Sequence, residues 1–183
     1  MISIRKGKYA ISGLVDMITY IQHHSDIETK EMIVVEIGSY AGDATKIFAK
    51  HFKRVICIDP YQNGYDDNDG ASYKFDMRIV YNQFEKEVLN KFKNVVHHKM
   101  MSEQAALCFT DGWLDFVYID GNHKYGFVKK DIEMWSPKIK KGGWIGGHYY
   151  MNIDFEDVTK AVNEMIGRPD MIFADTSWIR RKQ

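Results

Sequence analysis

The chain lacks several features that define other protein classes. No apolar run approaches the eighteen or so residues of a membrane-spanning helix, so no membrane association is expected. The stretch Met1 to Ala10 is polar and has no signal-peptide core. Cysteine is scarce: Cys57 and Cys108 both sit in apolar surroundings and read as buried and reduced, which fits a cytoplasmic location. There is no net charge, since 25 Lys and Arg balance 25 Asp and Glu. Nonspecific nucleic-acid binding relies on neutralising phosphates, so no nucleic-acid partner is expected. The local cluster Lys138, Lys140 and Lys141 reads as solvated loop ends. Repeats, low-complexity tracts and linker-like stretches are also missing, so 183 residues with an ordinary hydrophobic content of 45% suggest one domain over 1–183. At that length no separate substrate domain is expected.

What the chain does have is a strong opening unit. A β-branched run, Ile33 to Ile37, contains Glu36 and ends at Gly38; Gly42 follows, and an amphipathic segment with Ala44, Ile47, Phe48 and Phe52 on one face begins. A second apolar run, Val55 to Ile58, ends in Asp59. This predicts strand, tight turn, helix and strand, with an acid near the end of each strand. It is the nucleotide-binding half of a doubly wound α/β fold, in which ligands sit beyond the carboxyl ends of the strands.

The turn narrows the ligand. A pyrophosphate-binding fingerprint, G-x-G-x-x-G, needs its second glycine for close approach to the phosphates, and Tyr40 stands there instead. No G-K-[ST] follows, which excludes a P-loop. Asp59 nevertheless lies about twenty residues beyond the turn, the spacing of a ribose-binding acid. A ligand with a ribose, no phosphate and positive charge fits, and S-adenosylmethionine (SAM) has all three properties. The other reading is that the glycines only make a tight turn and Glu36 is structural.

Glu36-Ile37-Gly38-Ser39-Tyr40-Ala41-Gly42 resembles motif I of the class I SAM-dependent methyltransferases, and Asp59 matches their ribose acid. Ile119-Asp120-Gly121-Asn122-His123-Lys124-Tyr125 and Gly142-Gly143-Trp144-Ile145-Gly146-Gly147-His148-Tyr149-Tyr150 resemble a branch of small O-methyltransferase-like proteins. The resemblance runs from about Gly13 to Ile166. It implies a doubly wound, seven-stranded, mostly parallel sheet with helices on both faces. It also implies SAM held by Glu36, Gly38, Ser39, Tyr40, Gly42, Asp59, Pro60, Met101, Ser102 and Asp120.

The remaining elements follow the same order. A first helix, about Gly13 to His23, carries Leu14, Met17, Ile18 and Ile21 on one face and is expected near the cofactor entrance; His23 and His24 suit its end. Pro60 to Asp76 has no apolar period and is long enough to be a functional loop, a lid over cofactor or substrate, or a solvated turn. Asp67, Asp69, Gly70 and Asp76 half-match a calcium loop, but Tyr65 occupies the first ligand position and the final Glu is missing. A helix is expected over Met77 to Lys93 and a strand over Val95 to Lys99. Ser102 is either an adenine-flanking residue or a helix N-cap. A central strand over Phe116 to Ile119, a helix closed by Pro137, a strand over Trp144 to Gly147, a helix around Val158 to Ile166 and an antiparallel closing pair complete the chain.

Asp120, His123 and His148 come from the ends of two neighbouring strands on the edge that carries Glu36 and Asp59. Methyl transfer needs the acceptor held about 3 Å from the methyl and in line with its bond to sulfur. A hydroxyl must also lose its proton, and a histidine near its ordinary value of about 6.5 suits that task. His123 is the first choice as base, His148 the second, with Asp120 orienting a histidine or ligating a metal. The resemblance places the second acid of metal-dependent relatives at Tyr149, so a magnesium site of the usual oxygen type is not expected, although two histidines with Asp120 suit a transition metal. The expected acceptor is a small-molecule hydroxyl, such as a sugar or sugar-bearing metabolite. The alternative is a SAM- or SAH-binding protein without transfer activity. Trp113, Trp135, Trp144 and Trp178 supply either a homodimer interface or the core.

Overall fold

The computed structural model describes residues 12–67 and 69–183. The reading of Met1 to Ala10 lies outside the described residues. Seven strands form one sheet: β1 (Ile33–Ile37), β2 (Arg54–Ile58), β3 (Val95–His98), β4 (Leu114–Ile119), β5 (Ile139–Gly147), β6 (Met171–Ile172) and β7 (Trp178–Arg181). Their order is β3-β2-β1-β4-β5-β7-β6. The first five pair in parallel, and β7 runs antiparallel to β5 and β6. The order reverses between β1 and β4, which opens a crevice at their carboxyl ends.

Period-2 alternation explains the two cores. Val34 of β1 and Cys57 of β2 face a layer made with α1 (Ser12–His24), α2 (Asp43–His51) and α4 (Met77–Phe84), around Met17, Phe48 and Phe84. Val35, Ile37 and Val117 face the opposite layer, made with α5 (Ser102–Ala106), α6 (Tyr125–Trp135) and α7 (Glu156–Ile166). The four-residue α3 (Ala71–Lys74) lies within the long loop. Trp135, Trp144 and Trp178 are at most 2% exposed, so they belong to the core and are not available as a dimer surface; only Trp113 is substantially exposed. Each buried indole removes roughly 150–250 Å² from water, an upper-bound gain of about 4–6 kcal/mol.

Several boundaries differ from expectation. α4 ends at Phe84 and continues as one wide π turn over Glu85–Leu89, where Asn90 N–H reaches the Glu85 carbonyl at 3.0 Å. β5 starts five residues before Trp144, so Gly142-Gly143 lies inside the strand. There the pairing slips: Leu114 opposes Ile139 but Phe116 opposes Trp144. Gly142 adopts φ 77°, and a Cβ on Gly143 would stand 2.8 Å from the Asp115 carbonyl oxygen, so the irregularity needs both glycines. Cys57 is buried as expected, but Cys108 is exposed, because it falls in the turn after α5 has ended.

Candidate active site

The crevice between the β1 and β4 ends is lined by the β1–α2 turn, the end of β2, the loop after Pro60, the start of α5 and the two turns after β4 and β5. Its described lining carries six carboxylates, Glu36, Asp43, Asp59, Asp66, Asp69 and Asp120, and no lysine or arginine. Of the expected cofactor residues, Glu36, Gly38, Ser39, Tyr40, Asp59, Pro60, Ser102 and Asp120 line it, as do His123 and His148. Gly42 and Met101 do not. Helix α1 contributes no lining residue; it reaches the site through Gly13 N–H, 2.6 Å from Asp175 Oδ2 in the β6–β7 turn.

Glu36 sits on the α2-facing side of β1 and is 1% exposed. Its Oε2 accepts from Thr45 Oγ1 at 2.5 Å, whereas Oε1 is buried and has no hydrogen-bond partner among the described residues. The nearby Ser39 hydroxyl is also buried, beside the Cys57 thiol. Burial pushes the Glu36 carboxyl up to about 8, the Thr45 and Cys57 contacts oppose this, and the charges of Asp120 and Asp59 add to it. An unsatisfied buried acceptor in an acidic cleft fits a ligand that brings donors and positive charge, as the methionine end of SAM does.

Asp59 has a structural duty as well. Its Oδ2 accepts from Tyr40 N–H at 2.9 Å and its Oδ1 from Tyr61 N–H at 2.8 Å. Both tyrosines have positive φ, 45° and 49°, and the Tyr61 hydroxyl donates to the Tyr40 carbonyl at 2.7 Å. These bonds hold two residues that would otherwise disfavour left-handed backbone. The Ser39 backbone N–H also bonds to the Asp59 carboxylate. Gly38, at φ 86°, lets the turn pass the β4 end: a Cβ there would lie 2.0 Å from the Asp120 carbonyl oxygen. Its close approach is therefore to the chain itself.

Ser102 does not cap α5. Met101 is the N-cap, and the Ser102 side chain points into the core. It donates to Asp131 Oδ1 at 2.5 Å and accepts from Trp135 Nε1 at 2.8 Å.

The acceptor end holds a chain of acids and imidazoles. Asp66 Oδ2 accepts from both the backbone N–H and Nδ1 of His123, at 2.8 and 2.9 Å. His123 Nε2 lies 3.4 Å from Asp120 Oδ1, and His148 Nδ1 lies 3.7 Å from the same oxygen. His148 Nε2 donates to the Asp175 carbonyl at 2.7 Å. A carbonyl only accepts, so that partner fixes the His148 tautomer. Burial alone would lower His123, but hydrogen bonds and charge from Asp120 and Asp66 outweigh it and raise the ring to about 9. His148 is likewise raised despite its burial, chiefly by Asp120. The expectation of a histidine near 6.5 is corrected on this point: between two carboxylates the ring keeps its proton at neutral pH.

The sequence reading missed Asp66 and Asp131, and met Asp69 only in the half-matched calcium loop. Asp66 lies in an aperiodic loop, 57 residues from its partner. Asp131 left a trace, since it shares the apolar face of α6 with Val128, Ile132 and Trp135. Asp66 takes His123 Nδ1 and a carbonyl takes His148 Nε2, which leaves His123 Nε2 and His148 Nδ1 facing Asp120. Among the described residues no group of three or more His, Cys, Asp or Glu side chains is placed to hold a metal ion. Tyr149 packs instead on both rings, stacked 4.0 Å from His148 and edge-on 4.7 Å from His123.

Residues 35–150 match the family described as a methyltransferase domain, well over half of the chain, and the chain belongs to that family. Family and fold support a SAM-dependent methyltransferase, and the sheet has the Rossmann-like methyltransferase fold of the solved structures it matches. Its relatives are distant. An uncharacterized protein, R132, of Acanthamoeba polyphaga mimivirus is 24% identical over 91% of this chain and 76% of that one. The calicheamicin methyltransferase CalS11 superposes with TM-score 0.66 at 12% identity, over 96% of this chain and 80% of that one. Its apo structure is described as a TDP-rhamnose 3'-O-methyltransferase. An rRNA methylase from Streptococcus thermophilus superposes with TM-score 0.64 at 14% identity, over 98% and 100%. Some other matched structures are longer, and the chain spans 51% and 26% of two of them. No described helix is long and apolar enough to cross a membrane.

Proposed function

We propose that this protein transfers a methyl group from SAM to a hydroxyl of a small molecule, such as a sugar or sugar-bearing metabolite. The observation that carries the reading is the buried, unpartnered Glu36 Oε1 in an acidic cleft whose other end holds Asp120 and two histidines. Glu36 and Ser39 receive the methionine end, Asp59 the ribose and Ser102 the adenine side. Bound SAM supplies the electrophilic methyl. The chain's own residues orient the acceptor and take its proton.

His123 is the first choice for that proton. Its Nδ1 is committed to Asp66, so Nε2 is the nitrogen that exchanges a proton beside Asp120. His148 offers Nδ1 in the same place and is the second choice. Because His123 is held protonated, activity rises with pH as the ring loses its proton. An acidic lining without Lys or Arg among the described residues supports a small acceptor over nucleic acid. The test is transfer from methyl-labelled SAM to a panel of hydroxylated small molecules. Labelled product that depends on His123 supports the reading.

The rival is a SAM- or SAH-binding protein without transfer. The packing of Tyr149 on both histidines favours it, since that ring occupies their flank. Tight SAM binding with no labelled product across the panel is its signature.

A further inference from the structure

The turn between β6 and β7, Phe173 to Ser177, is bonded to the end of β5 and to the start of α1. Thr176, a β-branched residue at φ 67°, sits there in left-handed backbone that it disfavours. Thr176 N–H to the Phe173 carbonyl at 2.9 Å and Phe173 N–H to the Ser177 carbonyl at 2.8 Å close the turn, and Tyr150 N–H to the Thr176 carbonyl at 2.9 Å ties it to the segment after β5. The Asp175 carboxylate braces it. Its Oδ1 accepts from Ser177 N–H at 3.0 Å and its Oδ2 from Gly13 N–H at 2.6 Å. Gly13 lies in the first turn of α1, where backbone donors have no partner within the helix, so a carboxylate 162 residues away caps it. The Asp175 carbonyl in turn accepts from His148 Nε2 at 2.7 Å.

A neutral imidazole carries one N–H and one bare nitrogen. Two acceptors compete for the single proton of a neutral His148: the Asp175 carbonyl at Nε2, and Asp120 Oδ1, 3.7 Å from Nδ1. At equal distance the carboxylate is the stronger acceptor. At 3.7 Å it is beyond hydrogen-bond range and the carbonyl is within it, so the position of the turn decides where the proton goes. We infer that Asp175 is a positioning residue: braced by the start of α1, it keeps the proton on His148 Nε2 and leaves the Nδ1 lone pair on the cleft beside Asp120. Once the turn moves away, a neutral His148 places its proton on Nδ1, donates it to Asp120 and loses its capacity as a base. As a statement about catalysis the inference rests on the proposed methyl transfer; as a statement about the ring it does not.

Gly13 offers a way to push on the turn without touching the cleft, which it does not line. A Cβ there would lie 2.1 Å from Asp175 Oδ1 and 2.7 Å from the Phe173 Cβ, so Gly13→Ala displaces the turn from the side of α1. The readout is the pair of ring ¹⁵N resonances of His148, taken at the alkaline end of its titration, where the ring is neutral. The unmodified protein should show Nε2 protonated and Nδ1 bare. Gly13→Ala and Asp175→Ala should each shift the proton toward Nδ1, so that the two resonances approach each other or exchange places. Asp175→Asn, which keeps an acceptor for Ser177 N–H, should stay nearer the unmodified protein. A role in stability alone would lower the melting temperature and leave the resonances in place.

If Asp175→Ala does not fold, it is repeated together with Thr176→Gly, which removes the strained side chain at φ 67° and lets the turn form without its brace. Nδ1 protonated in the unmodified protein overturns the inference. So does an Nε2 proton that neither Gly13→Ala nor Asp175→Ala moves in folded protein; the proposed transfer then stands, with His148 held by other means. A proton that follows the turn in a protein that transfers no methyl group supports the inference about the ring and removes the proposed function.

Discussion

Asp66 and His123, 57 residues apart, meet twice: one carboxylate oxygen takes both the backbone N–H and the ring Nδ1 of the histidine. The bond ties the loop after β2 to the turn after β4. Asn122 Nδ2 donating to the Tyr65 carbonyl at 2.6 Å and the Lys124–Asp67 ion pair reinforce it. Asp66→Asn keeps the shape and removes the charge. His123 should then titrate closer to its ordinary value of about 6.5, read from ring resonances by NMR. An unchanged His123 titration would show that Asp120 alone sets its proton.

The pH dependence of methyl transfer follows from the same pair. The rate should climb from neutrality toward about 9 as His123 loses its proton. His123→Ala should lower the rate roughly 10²-fold or more with SAM affinity little changed. A rate already level at pH 7, or an unaffected His123→Ala, shifts the role of base to His148 or Asp120.

Stability of the ligand-free protein should fall as pH rises. Glu36, Asp131 and His123 have folded values of about 8, 7 and 9, each above its unfolded value. Groups raised on folding bind more protons in the native state, so their contribution is full below the unfolded value and is lost through the folded one. His97, lowered to about 4, acts in the opposite sense but only below about 6.5. Between pH 7 and 9 the remaining slope is one-signed, and the melting temperature should drop by roughly several degrees across it. A flat or rising profile would contradict the protonated state of these groups.

Asp59→Ala is not a clean probe of the ribose contact. It strips partners from the Tyr40 and Tyr61 amides, both in left-handed backbone, at about 1–3 kcal/mol for each amide left dry. Thermal or denaturant melts should show this loss before any ligand is added. If the variant is as stable as the parent, water replaces the carboxylate at both amides.

Much of the fold was legible because each signal was local. The β-branched run to Ile37, the glycines at 38 and 42, and the apolar run to Asp59 predict β1, its turn, α2 and β2 within a residue or two. The ends of β4 and β5 stood out for the same reason, which brought Asp120, His123 and His148 into view. Asp66 was hidden because its partner is distant and its loop has no period. Ser102 was visible as a position, but its hydrogen bonds depend on α6 packing against α5. The charge of His123 was also out of reach, since it depends on two carboxylates that only the fold brings together.

The central claim is that the β1–β4 crevice binds SAM through Glu36, and calorimetry tests it most directly. The unmodified protein should bind SAM and SAH and ignore NAD. SAM affinity should rise with pH as Glu36 ionises through about 8, and binding at neutral pH should release protons to the buffer. Glu36→Gln, which keeps the acceptor for Thr45 and loses the charge, should weaken SAM about tenfold or more. Well-folded protein that shows no heat with SAM, or a Glu36→Gln variant that binds it as tightly as the parent, would contradict the account.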